Sequence, residues 1–346
     1  MKDNISALII DYLKEYPATS SKAIYEALKP DVSFATFKRV LAKSVNDGLV
    51  STEGRQKSAK YTLSKAYEIL RAFDINTYFE KELDERKIKS SFDLSLMPDV
   101  LSQIDLFTEK ELAYLKGLQQ EFQKNILSLS TTLYDKEMER LAIDLSWKSS
   151  QFEGNTYSLL ETERLLKEKE TAAGKSKDDA IMLLNHKDAI DFILANSDYV
   201  VPLTIRVLED IHSLLVKDLG VDRNIRQRRV GISGTNYIPL DNEHQIRDAL
   251  NDMCDLINAK ENIFEKSLLA LVLLSYIQAF ADGNKRTARI ISNSILIANQ
   301  YCPISFRTVD SVDYKKAMLI FYEQNNIDAF KQIFISQFEF AVKTYF

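Results

Sequence analysis

The run KSLLALVLLSYIQAF, from Lys266 to Phe280, constrains the fold more than any other stretch of this chain. Its apolar residues do not keep to one face. A surface helix leaves a polar side to water, whereas a segment apolar nearly all round has to be enclosed by other elements. The run is therefore read as the central buried helix of a bundle. Only 9 Gly and 6 Pro in 346 residues, with 45% hydrophobic content, agree with a mainly α chain that buries a substantial core.

The central helix is expected to end at Phe280, and a new helix to open near Lys285 after Asp282-Gly283-Asn284. Such a junction leaves backbone donors exposed at a helix N-terminus, which is an anion site. Gly283 lets the backbone approach a phosphate, and Asn284 can add a side-chain donor. Asp282 suits magnesium, which takes one or two carboxylates together with phosphate oxygens. Arg286 and Arg289, spaced i and i+3, are expected to project from one face and grip phosphate with planar forks. On these residues alone, a capping Asp282 followed by solvated arginines is an equal reading.

The chain reads as three blocks: 1–66, 67–130 and 131–346. In the first, helices are expected up to Pro17, up to Pro30, and after Ser33 as N-cap. Two short strands, LVST and AKYTLS, follow around EGRQKS. This order resembles a winged helix-turn-helix module, with Lys38, Arg39 and Lys43 facing DNA and Arg55, Lys57 and Lys60 on the wing. A module for dimerisation or protein docking fits the same pattern. The second block is a charged helical connector. In the third, Met138, Leu141, Ala142 and Leu145 mark a helix face, and RRVGISGTNYIPL is read as a β-hairpin because Val230 and Ile232 alternate across a Gly-rich turn.

Charge separates the first block from the rest. Residues 1 to 65 hold eleven Lys and Arg against seven Asp and Glu, a balance of +4. The net charge of the chain is −5, so the remainder carries −9. Cys254 and Cys302 have neither disulfide nor metal-ligand spacing. No apolar run approaches the length of a bilayer span and the first residues carry charges, so a cytoplasmic protein with no membrane partner is expected.

The stretch Gln278-Ala279-Phe280-Ala281-Asp282-Gly283-Asn284-Lys285-Arg286-Thr287-Ala288-Arg289 resembles the signature of the Fic family, HPFx(D/E)GN(G/K)RxxR. Phe280, Asp282, Gly283, Asn284, Arg286 and Arg289 match, while the opening His and Pro are absent. Ser149, Glu153 and Gly154 in SSQFEGN are similar to the family's inhibitory motif [S/T]xxxE[G/N]. The segment holding Val230, Gly231, Ile232, Ser233 and Gly234 resembles its target-docking flap. Asn293 and Tyr314 fall where family members often line the nucleotide pocket. The resemblance implies a Fic-fold helical bundle with a small β-hairpin flap, beside the N-terminal winged helix.

It also implies transfer of AMP from ATP to a hydroxyl of an unknown target protein. Asp282 would hold Mg2+, and Phe280, Gly283, Asn284, Lys285, Arg286 and Arg289 would bind the nucleotide. The family His takes the hydroxyl proton. Gln278 stands in its place, and an amide is no base. Loss of general-base catalysis costs roughly 10²- to 10⁴-fold. Lys285 occurs in AMP transferases and in kinase-like members alike. Glu153 is expected to pair with Arg289 and deny it to ATP, with Ser149 on the same helix face. His186 and His212 are expected to be structural and His244 solvent-facing. Three readings stay open: an impaired AMP transferase, a nucleotide-responsive DNA-binding regulator, and a docking pseudoenzyme. Homo-oligomerisation is open too.

Overall fold

A computed structural model describes residues 2–54 and 58–346, which divide into two compact units, Met1–Phe73 and Asp74–Phe346. The wing positions Arg55 and Lys57 lie outside the described residues.

In the first unit, helix α1 (Lys2–Glu15) is followed by β1 (Thr19–Ser20), α2 (Ser21–Leu28), α3 (Phe34–Asn46), β2 (Val50–Glu53), β3 (Lys60–Leu63) and a short α4 (Tyr67–Leu70). The strands form an antiparallel sheet in the order β1-β3-β2. Ser33 caps α3 by accepting from the Thr36 N–H at 3.3 Å, which satisfies one of the donors a helix start leaves open. Ile5, Ile9, Leu13, Ile24, Phe37, Val40, Leu41 and Val50 form the core of this unit. Inward Phe37, Val40 and Leu41 leave Lys38, Arg39 and Lys43 exposed on α3, and Lys60 is exposed on β3.

The second unit is helical: α5 (Ile75–Phe79), α6 (Glu109–Ser128), α7 (Thr131–Phe152), α8 (Leu159–Glu168), α9 (Lys177–Ala195), α10 (Ile205–Leu215), α11 (Glu243–Ala259), α12 (Ile263–Ile277), α13 (Asn284–Ala298), α14 (Ser311–Gln324) and α15 (Asp328–Tyr345). Helix α12 is the centre. Every residue from Ser267 to Ile277 is buried, and α11, α13, α14 and α15 surround it. It ends at Ile277, three residues before the expected Phe280, because Gln278 turns into the left-handed region at φ 53°.

Two expectations change here. The 67–130 block is shared between the units: Tyr67–Phe73 falls in the first and the rest in the second. No hairpin forms around Val230 and Ile232. Residues 226–237 are irregular, and Ile238 instead makes a parallel bridge with Ser91. A two-stranded hairpin is marginal in water without a further packed face. Here backbone groups at both ends and in the middle of the segment are satisfied elsewhere. The Ile238 N–H donates to Ser90 O (2.9 Å), Arg86 Nη2 to Gly234 O (2.9 Å) and the Arg226 N–H to Ala279 O (3.0 Å).

Arg86 comes from the charged stretch after α5 and is nevertheless buried against Glu323, with Nη1 3.3 Å from Oε1. Tyr78 Oη donates to the other Glu323 oxygen at 2.6 Å. Breaking a buried ion pair by removing one partner costs more than the pair contributes, because a charge is left uncompensated. Glu323→Ala is expected to destabilise the protein by about 3–5 kcal/mol, read by urea denaturation. A loss below about 1 kcal/mol would show that Arg86 finds water instead.

Candidate nucleotide site

The site gathers around the junction of α12 and α13. Gly283, at φ 83°, is the N-cap of α13 and supplies no side-chain cap. The backbone N–H groups of the first helical turn, at Asn284, Lys285 and Arg286, therefore have no acceptor within the helix. A Cβ on Gly283 would lie 3.1 Å from Val216 Cγ1 and 3.3 Å from the His212 ring. Glycine is required both for its backbone angle and for this approach.

The junction is braced from several sides. Asn284 Oδ1 accepts from the Phe280 N–H at 2.8 Å, and its Nδ2 donates to Phe280 O at 2.7 Å and to Gln278 Oε1 at 3.3 Å. Asn284 thus spends its amide on the loop itself. Gln278 Nε2 donates to Ser275 O at 2.6 Å, so the Gln278 amide is tied at both ends. Arg226 Nε donates to Gln278 O at 2.6 Å, which links the 226–238 segment to the junction. His212 stacks on Phe280 with centroids 3.7 Å apart, and its Nε2 lies 2.9 Å from Asp282 O. Burial lowers the pKa of His212.

The two arginines do not share a partner. Arg286 donates to Leu215 O at 3.2 Å and to Asp282 Oδ2 at 2.9 Å. Arg289 donates through Nε to Ser149 Oγ (2.7 Å), through Nη2 to Ser149 O (3.0 Å) and Glu153 Oε1 (2.6 Å), and through Nη1 to Tyr314 Oη (3.2 Å). Phe152 stacks on Tyr314 at 4.1 Å. The amide of Asn293 is occupied by the Ile304 backbone and Arg289 O. His186 is fully buried and His244 exposed.

Glu153 is the C-cap of α7, and Gly154 follows at φ 94°. A carboxylate at a helix C-terminus faces the negative end of the dipole, so this position is unfavourable unless cations lie opposite. They do: Arg289 is at 2.6 Å and Lys285 Nζ at 3.5 Å. Burial pushes the Glu153 pKa up, but Arg289 and then Lys285 outweigh it and hold the carboxyl below its ordinary value. A depressed pKa stabilises the fold above the unfolded carboxylate value, about 4.3, and that contribution is lost as pH falls through the folded value. The stability difference between wild type and Glu153→Gln is therefore expected at neutral pH and should vanish in acid. Denaturation across a pH series reads it.

Asp282 is the carboxylate beside the open N–H groups. Its side chain is 64% exposed. Among the described residues no cluster of three or more His, Cys, Asp or Glu converges. One exposed carboxylate fits magnesium in the company of phosphate oxygens rather than a metal held by protein alone. Among the described residues, too, no helix is long and apolar enough to cross a membrane.

Residues 202–296 match the family model described as Fic/DOC family. The chain carries a Fic/DOC-family domain. The 230–234 segment and the 278–289 stretch lie inside the match, while Ser149–Gly154 and Tyr314 lie outside it. The chain is 27% identical over 175 residues to a protein adenylyltransferase Fic of Nematostella vectensis, covering 49% of this chain and 40% of that one. It is 24% identical over 222 residues to protein adenylyltransferase fic-1 of Caenorhabditis elegans, covering 62% and 42%. It thus spans less than half the length of these relatives. In fold it is similar to a solved structure of C. elegans Fic-1 (TM-score 0.59, 18% identity, 68% of this chain and 72% of that one). A Fic domain containing signaling protein from Bacteroides thetaiotaomicron is similar as well (TM-score 0.58, 19% identity, 67% and 95%).

Proposed function

We propose that the chain is a Fic-type ATP-binding protein related to protein adenylyltransferases, held shut by Glu153 and slow in AMP transfer because Gln278 replaces the base. The observation that carries this is the Glu153–Arg289 pair, 2.6 Å long, set beside a helix N-terminus with open donors. The N–H groups of 284–286 and Lys285 would receive the phosphates, and Arg289, once freed, would hold their far end. Magnesium, held by Asp282 with the phosphates, supplies charge neutralisation when bound. Most of the rate then comes from positioning and fixed charge. The segment Val230–Gly234 would present the hydroxyl of a target protein. Incubation with ATP labelled at either the α- or the γ-phosphate tests the reaction class. α-Label on protein supports AMP transfer, γ-label alone a kinase-like orientation, and neither, even with Glu153 removed, leaves only binding.

A second reading rests on the first unit. Its α-β-α-α-β-β order and the exposed Lys38, Arg39 and Lys43 on α3 support a winged helix that contacts DNA phosphates. Affinity for duplex DNA is then expected to fall as salt rises, with a log–log slope shallower by about 0.9 for each of these residues replaced by Ala. Salt-independent binding, or none, would leave this unit a docking module.

A further inference from the structure

The buried imidazole of His186, on α9, takes part in none of the steps above, yet it lies against the inhibitory contact. Its Nε2 is 2.6 Å from Ser149 Oγ. The same hydroxyl oxygen accepts from Arg289 Nε at 2.7 Å. A guanidinium can only donate, so the oxygen's lone pair faces Arg289 and its own proton must go elsewhere. Among the described residues the hydroxyl has no acceptor other than His186 Nε2. Nδ1 is buried with no hydrogen-bond partner. A proton there leaves one group unsatisfied, whereas a proton on Nε2 would leave two, the Ser149 hydroxyl proton and the Nδ1 lone pair, so the imidazole is assigned as neutral with its proton on Nδ1. Burial, with Arg289 and Arg286 nearby, keeps it uncharged. The chain of contacts runs His186, Ser149, Arg289, Glu153, across α9, α7 and α13.

We infer that His186 is a positioning residue of the inhibitory contact: by accepting the Ser149 proton, it aims the hydroxyl oxygen at Arg289 Nε and so holds the guanidinium turned toward Glu153. Arg289 meets α7 at three points, Ser149 Oγ, Ser149 O and Glu153 Oε1. With no acceptor at position 186, the Ser149 hydroxyl is free to rotate, and its proton can point at a cation that offers it nothing. The three-point grip then loses one member, and Arg289 becomes easier to draw toward an incoming phosphate.

This inference rests on the reading of Glu153 as the residue that denies Arg289 to ATP. It is tested by calorimetric titration of magnesium-ATP into wild type, His186→Met, His186→Gln and Glu153→Gly, and into the two double variants. Thermal melts confirm folding of each. Methionine fills the space without a good acceptor, whereas the glutamine carbonyl can reach the place of Nε2. The expected result is ATP binding about three- to tenfold tighter in His186→Met, the scale of one hydrogen bond. His186→Gln should stay near wild type, and the His186→Met effect should disappear in the Glu153→Gly background, as residues acting through one contact are non-additive. A merely structural role would give the same change in both backgrounds and would overturn the inference. So would equal behaviour of the Met and Gln variants. If Glu153→Gly itself leaves ATP affinity unchanged, the inhibitory contact is not a brake, and the inference falls with it.

Discussion

Gln278→His is expected to raise AMP transfer roughly 10²- to 10⁴-fold, the range that a positioned general base contributes. The backbone favours the exchange. Gln278 sits at φ 53°, a region that costs most side chains about 1–2 kcal/mol and in which His is enriched among non-glycine residues. Its amide is tied to Ser275 O and to Asn284, so the substitution gives up two local hydrogen bonds and gains a titratable nitrogen beside the α12–α13 junction. The gain is read as α-label transferred to protein, with Glu153→Gly present in both samples so that nucleotide binding is equal. No gain would mean that the base is not what limits transfer.

Glu153→Gly carries the second large effect. The carboxylate is paired with Arg289 and Lys285, and the guanidinium it holds is wholly buried. Under the proposed function, ATP would have to displace that pair before Arg289 could turn to phosphate. Coupling between close charge pairs at desolvated contacts spans about 1.5–7 kcal/mol, and part of it returns when phosphate takes the place of carboxylate. A tightening of at least tenfold is expected, corresponding to about 1.4 kcal/mol. Glycine suits a position already followed by Gly154 in the left-handed region, and Glu153 as C-cap contributes little else to the helix. Unchanged affinity, with the protein still folded, would show that the pair serves folding alone.

Much of this arrangement was legible in the sequence because it depends on local pattern. The all-round apolarity of 266–280 announced the buried helix, and Ser33 announced the start of α3. Asp282-Gly283-Asn284 announced an open helix N-terminus, whose N-cap is Gly283 rather than the Asp282 of the alternative reading. Where the sequence misled, the deciding partners were distant in the chain. The alternation of Val230 and Ile232 suggested a hairpin, but Arg86 and Ser90 take the carbonyl of Gly234 and the N–H of Ile238, and no local signal reports that. The stretch containing Arg86 has too few apolar residues to suggest burial, and its ion pair with Glu323 could not be read from either segment alone. The i, i+3 spacing of Arg286 and Arg289 suggested one clamp. Leu215 O and Asp282 hold the first, and Ser149, Tyr314 and Glu153 hold the second. Asn284 was read as a ligand donor, but its side chain closes the loop. His186 gave no sign of its contact, because a histidine inside LLNHKDAIDFIL looks the same whether it is idle or seated against Ser149.

In the proposed function, Arg289 is the grip of a nucleotide site and Glu153 its brake. Calorimetric titration of magnesium-ATP into Glu153→Gly and into Glu153→Gly/Arg289→Ala tests it most directly. Clear binding is expected in the first and loss of most of it in the second. Equal affinity in both, or no binding in the first, would contradict it.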